Sequence, residues 1–416
     1  MLAALLSAAL LPLQQVPVFT PEPGYARPRN RVASDKAIRI YFLRTSFAND
    51  TDPSTSRHSE ESIQTIGRQL SDFFKIQSYG ALTVGKFEVS PVIKVGESAG
   101  YERYDEKGTE RPAKERKPII VEAIRAAEAS TGRKLRSEFD FICILVNGSP
   151  TKGRIAPQGV AALATGPQNS IFFTANPQWR VFAHEIGHNF GFPHAWSVSA
   201  KTGDITLPPM GERTFIEYGD ALSPMGKGSN SYSLIERYRM GWIGSATTDA
   251  RYIQKLATGN VKFGAYDRPD AKGLVGGYLE GDFGVELKEL VSRRDTGDNG
   301  GEAESVAEPG PQRLWLSVIS RTNMTAQGEM PDSPQPVLLA HLSGLVPSTK
   351  GPARASTTVS LDLKPASKNR REGVAQRGLI PGQTGEVRMK DGKRLTITFV
   401  RYNADKHVAE VETKIE

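Results

Sequence analysis

Residues 184–194 read HEIGHNFGFPH and hold three of the chain's 6 histidines, while His58, His341 and His407 stand singly elsewhere. On a helix His184 and His188 lie one turn apart on the same face, so both imidazoles can reach one metal ion. Glu185 points to the side of that ion, where it can hold a metal-bound water without being a ligand itself. Gly191 lets the chain leave the helix in a conformation costly for other residues, and the turn carries His194 back to the same ion. Three neutral imidazoles leave a fourth position open, the arrangement of a catalytic rather than a structural zinc. A structural site would normally close that position, often with cysteine. The chain's one cysteine, Cys143, lies in the apolar run FDFICILV and reads as a buried strand thiol.

The elements around this stretch must position it. AIRIYFL (37–43) is the first convincing strand. A helix capped by Ser59 follows, with Glu60 and Glu61 at its positive end and Ile63, Ile66, Leu70, Phe73 and Phe74 on one face. Residues 81–95 alternate like a strand pair. A second helix starts near Pro118, buries Ile120, Ala123, Ile124 and Ala127, and stops by Gly132. The strand around Cys143 and the short strand NSIFFT (169–174) come next. Asn176 is then placed to cap a helix whose first residue is Pro177 and which runs to Gly191. Ser233 with Glu236 three residues on forms a capping box for a last helix. This alternation predicts an α/β arrangement.

HEIGHNFGFPH resembles the H-E-x-x-H-x-x-G-x-x-H signature of the metzincin metalloproteases, and SPMG (223–226) resembles their methionine turn, with Met225 in the turn. The runs EYGDALSPMG and SYGALTV are similar to the gametolysin-type peptidases. The resemblance covers roughly residues 36–245. It implies an α/β (α+β) metzincin-like domain with a twisted mixed sheet and an active-site helix, one catalytic Zn²⁺ on His184, His188 and His194, Gly191 and Met225 as supporting residues, and endopeptidase activity. It also implies a substrate lying along an edge strand, for which NSIFFT is the candidate. Some metzincins carry a tyrosine ligand two residues after the methionine; here that position is Lys227. Tyr218 and Tyr232 flank the turn, and each has two readings, an approach to the metal or ordinary packing.

The chemistry expected of such a site is attack on a peptide carbonyl by a zinc-bound water whose proton Glu185 removes and then delivers to the leaving amine. Two other readings compete with it: a cell-surface binding or adhesion protein with a structural metal site, and a zinc hydrolase of a non-peptide amide. Glu185 argues against the first, because a binding protein has no need of that carboxylate. A strand edge able to pair an extended chain argues against the second.

At 416 residues the chain exceeds a comfortable single core. It has 38% apolar and 24% charged residues, the composition of a folded soluble chain. The net charge of +7 is dispersed among acids, which speaks against nucleic acid as a partner. Protein or peptide is the expected substrate, with extracellular or cell-wall glycoprotein as one source; oligomeric state is not legible. Residues 1–20 form a signal-like segment, because Leu2–Leu13 is too short to span a bilayer, although the usual preceding basic residues are missing. A secreted or extracytoplasmic protein is expected, with no stable membrane span. Residues 36–245 form the protease-like domain. From 246 to 416 short alternating runs separated by turns predict a β-sandwich-like domain. Trp315, between Leu314 and Leu316, faces either outward as a sugar platform or inward as core.

Overall fold

The computed structural model describes residues 19, 21, 22, 25, 35–50, 58–146 apart from 103, 106 and 108, 162–165, 170–173, 178–200, 213–283 apart from 221, 312–320, 336–348, 351–355, 358–361, 363 and 378–416. The first elements are β1 (Ala37–Phe47), α1 (Glu60–Gln77), β2 (Thr83–Val89), β3 (Ile93–Val95), α2 (Ile119–Thr131), the single turn α3 (Leu135–Glu138), β4 (Phe141–Val146), β5 (Ala162–Thr165) and β6 (Ser170–Phe173). They form a mixed sheet in the order β2-β1-β4-β6-β5, with β3 beside the far end of β1. Residues 81–95 are therefore not a hairpin, since β2 and β3 each pair in parallel with β1. The edge next to β6 is also not NSIFFT. Strand β6 is covered on both sides, by β4 in parallel and by β5 antiparallel, and among the described residues β5 is the outer strand. A four-residue element such as β5, without a strong alternating pattern, leaves little trace in sequence.

Both faces of this sheet are buried, which explains the unbroken apolar run at Cys143. Ile40, Phe42, Phe141, Cys143 and Leu145 pack with Ile63, Leu70 and Phe74 of α1. Tyr41, Leu43, Ile142 and Ile144 face the other way, onto Ala123, Ile124 and Ala127 of α2. The predicted cap of α1 is present, with the Ser62 amide donating to Ser59 Oγ at 3.2 Å. Helix α2 ends at Gly132 in the left-handed conformation, φ 68°.

Helix α4 (Trp179–Phe190) lies against the α1 face of the sheet and begins two residues later than predicted. Gln178 is its N-cap, with no side-chain hydrogen bond, and Asn176 and Pro177 fall outside the described residues. After it come β7 (Ala195–Ala200), β8 (Arg213–Ile216), α5 (Leu234–Arg239), β9 (Arg251–Lys255), β10 (Gly259–Gly264), β11 (Gly273–Gly281), β12 (Gln312–Ile319), β13 (Val337–Ser348), β14 (Gly351–Ala355), β15 (Thr358–Leu361), β16 (Gln383–Arg388), β17 (Arg394–Asn403) and β18 (Val408–Ile415).

Two further sheets result. One has the order β10-β18-β17-β16; the larger runs β8-β7-β15-β13-β12-β11-β9, with β14 on β13. Phe263, Ile397, Phe399 and Val411 of the first share one core with Leu314, Leu316, Leu338 and Val359 of the second. Strands β7 and β8, which directly follow the histidine motif, belong to the larger sheet, and β7 pairs in parallel with β15. The opposite face of that sheet is also covered. Trp315, Ile319, Val337 and Leu339 pack with Leu234, Ile235, Tyr238 and Ile243 from α5 and the segment after it. Each such buried side chain contributes roughly 1.5–3 kcal/mol, so the two halves are joined by a core rather than by a linker.

Trp315 is fully buried, and its Nε1 donates to Ser343 Oγ at 2.8 Å. With no exposed face it is core and not a sugar platform. Among the described residues no helix is long and apolar enough to cross a membrane.

Candidate metal centre

Helix α4 presents His184 and His188 from successive turns, and Gly191 caps it at φ 93°, in the left-handed region that a side chain would strain. The chain then turns and brings in His194. Among the described residues, these three are the one group of three or more histidine, cysteine or acidic side chains able to hold a metal, with ligand atoms all within 4.8 Å of one another.

The other nitrogen of each ring fixes what the facing nitrogen can do. His184 Nδ1 lies 2.7 Å from the Pro224 carbonyl oxygen, and His188 Nδ1 lies 2.8 Å from that of Phe192. A carbonyl oxygen can only accept, so in the neutral rings both Nδ1 atoms carry the proton and both Nε2 atoms present lone pairs. Those two Nε2 atoms are 3.0 Å apart. Two lone pairs facing at that distance repel unless a cation sits between them, so the donor set fits a metal ion. His194 Nδ1 is 2.6 Å from Glu217 Oε1, a carboxylate partner the sequence reading did not single out.

Glu185 is buried on α4, at 6% exposure. Burial, and to a smaller degree the Glu185 charge, pushes the Cys143 thiol up. Cys143 is thus a protonated core thiol facing the helix from β4, as its apolar run predicts.

Met225 is fully buried and packs against Gly187, which lies between the two helical histidines. A Cβ added at Gly187 would stand 2.4 Å from Met225 Sδ and 3.3 Å from the Tyr232 hydroxyl. Glycine inside a helix costs about 1 kcal/mol against alanine, and that intrinsic penalty was the available sequence signal for a packing role. Gly187→Ala is expected to lower the unfolding free energy by about 1–2 kcal/mol, because overpacking at roughly 1–3 kcal/mol exceeds the helical gain. The loss should shrink when Met225 is already alanine. Equal losses in both backgrounds, measured by denaturant titration, would reject Met225 as the obstacle.

The turn carrying Met225 is held from two directions. Ser223 Oγ accepts from the Met225 amide at 3.1 Å and donates to the Glu236 carboxylate at 3.0 Å. Glu236 also receives the Ser233 amide at 2.6 Å, so the capping box predicted for α5 doubles as an anchor for the turn. Asp220 accepts from the Leu222 and Ser223 amides and pairs with His341 of β13, Oδ2 to Nε2, at 3.2 Å. Burial alone would raise the Asp220 carboxyl; the His341 contact and the two amides outweigh it and hold it below the usual carboxylate range. Met225's carbonyl accepts from the Ala195 amide at 2.9 Å, tying the turn to the residue after the third histidine.

The two tyrosines part company. Tyr232 lies beneath α4, its hydroxyl donating to the Ala183 carbonyl at 2.7 Å and its ring packed on Phe73 and Phe192. Tyr218 lies beside the histidines, its ring centroid 4.0 Å from that of His194 and 5.8 Å from that of His184. Glu217, Asp220, Ser223 and Gly187 were not assigned roles from sequence. Three of them sit in the EYGDALSPMG run, whose resemblance marked the place but not the contacts.

No curated protein matches the chain. Residues 121–266, the segment that carries the three histidines, Glu185 and Met225, match the model of the gametolysin peptidase M11 family, and this similarity supports a metallopeptidase of gametolysin type.

Proposed function

We propose that the chain is a secreted zinc endopeptidase, with a metzincin-like catalytic half and a sandwich-like β-rich half packed against it. The observation that carries this reading is the convergence of His184, His188 and His194 with Nδ1 of each already held by an oxygen acceptor. Three imidazoles and no thiolate suit a zinc ion with one open position. A zinc ion held there supplies Lewis acidity towards water and towards the carbonyl of the scissile bond.

The chain's own residues do the remaining work. Glu185, one residue from the first ligand and shielded from bulk water, accepts the proton of the attacking water and passes it to the leaving amine nitrogen. The outer edge of β5, which packs near α4, offers backbone N–H and C=O groups to an extended peptide, a role first assigned to NSIFFT. Tyr218, partly exposed beside His194, borders the place where the substrate carbonyl would lie. Residues 1–20 would direct export.

Incubating the purified protein with denatured protein substrates, with and without a zinc chelator, and sequencing the fragments by mass spectrometry tests this directly. Internal cleavage that the chelator abolishes and added zinc restores is the expected result. Cleavage indifferent to the chelator, or none, would reject the proposal.

A further inference from the structure

The three histidines are not held alike. His184 and His188 stand on α4 and lean on backbone carbonyls, whereas His194 lies beyond the helix, with a carboxylate at its Nδ1. We infer that Glu217 and Tyr218 form a clamp that fixes His194 as a metal ligand, with Glu217 as the positioning residue; the inference rests on the metallopeptidase reading above.

Topology brings the clamp to the ligand. Strand β8 runs antiparallel to β7 with Ile216 opposite Ser197, so the chain leaving β8 returns alongside the residues that follow His194. In a continued strand, Glu217 and Tyr218 would point to opposite faces. They do not, because Tyr218 has φ 60°, one of three non-glycine residues with positive φ among those described. That conformation costs on the order of 1–3 kcal/mol and persists only where surroundings enforce it. Its consequence is that both side chains meet one imidazole, Glu217 Oε1 at 2.6 Å from Nδ1 and the Tyr218 ring 4.0 Å from it, centroid to centroid.

Each contact has a distinct effect. The Glu217 carboxylate requires a proton on Nδ1, which leaves Nε2 as the donor atom, and its charge makes that nitrogen a stronger donor than a carbonyl partner would. The Tyr218 ring blocks rotation of the imidazole out of the site. Glu217 itself is 42% exposed, so its loss should not disturb the core.

The test uses the full chain as wild type, Glu217→Gln, Glu217→Ala and Tyr218→Gly, each stripped of metal and titrated with Zn²⁺ against a competing chromogenic chelator. Glu217→Ala is expected to weaken zinc binding by about 10–100-fold, and Glu217→Gln by less, with unfolding midpoints of the metal-free proteins unchanged. Tyr218→Gly should also weaken zinc binding, since it removes the ring that packs on the His194 imidazole. Wild-type affinity in both Glu217 variants overturns the inference and leaves the metal centre standing. A wild type that takes up no zinc overturns both.

Discussion

Glu185→Gln is expected to retain its metal and its thermal stability while peptide cleavage falls by about 10²–10⁴, the usual weight of a positioned general base. That loss corresponds to about 3–5 kcal/mol of transition-state stabilisation, far more than one neutral hydrogen bond contributes. Glutamine keeps the volume of the buried side chain and most of its hydrogen-bonding capacity, so the pocket at 6% exposure should close around it unchanged. What it lacks is the ability to accept a proton. The measurement is kcat/KM on a protein substrate for both forms, alongside metal content. Equal cleavage by the two forms would remove Glu185 from the mechanism. An inactive wild type with bound metal would favour a binding role for the same centre.

His188→Ala is expected to lose the metal itself. The substitution removes one of three imidazoles and the Nε2 that sits 3.0 Å from His184 Nε2, so the remaining two donors no longer enclose an ion. Elemental analysis should fall from about one zinc per chain to a small fraction of that. Stability should respond in step. A ligand at a thousandfold excess over its Kd stabilises the folded state by about 4 kcal/mol, so added zinc should raise the wild-type unfolding temperature and leave that of the variant where it was. Equal zinc in both proteins would displace His188 from the site.

The local parts of this site were legible in the sequence because the spacings that create them are short. His184 and His188 share a face because α4 repeats every 3.6 residues, and Gly191 ends that helix because only glycine adopts φ 93° without strain. The Ser233–Glu236 box was readable for the same reason, as both its hydrogen bonds close within three residues. Errors occurred where no short-range rule applies. Residues 81–95 alternate, but alternation does not name the partner, and both β2 and β3 chose β1. NSIFFT has the composition of a strand, but nothing in it shows that a four-residue neighbour, β5, takes the edge.

By itself, then, the sequence determined which residues are the candidates for the chemistry. Three histidines at fixed offsets, a carboxylate beside the first and a glycine at the helix end set a metal-binding helix and turn through local backbone geometry. Tertiary structure decided what holds those residues in place, because those contacts join positions far apart in the chain. His341 stands alone in the sequence, 121 residues from Asp220, yet meets it in a buried pair under the Met225 turn. Strand β7, which starts at the residue after His194, is paired by β15 from the C-terminal half, so this candidate ligand is braced by a distant part of the chain. Trp315 had two readings because both faces of its strand look apolar, and only the packing of α5 on one face and a second sheet on the other explains why they are. Register and burial of this kind depend on which surfaces meet, and periodicity along one strand or helix does not encode that.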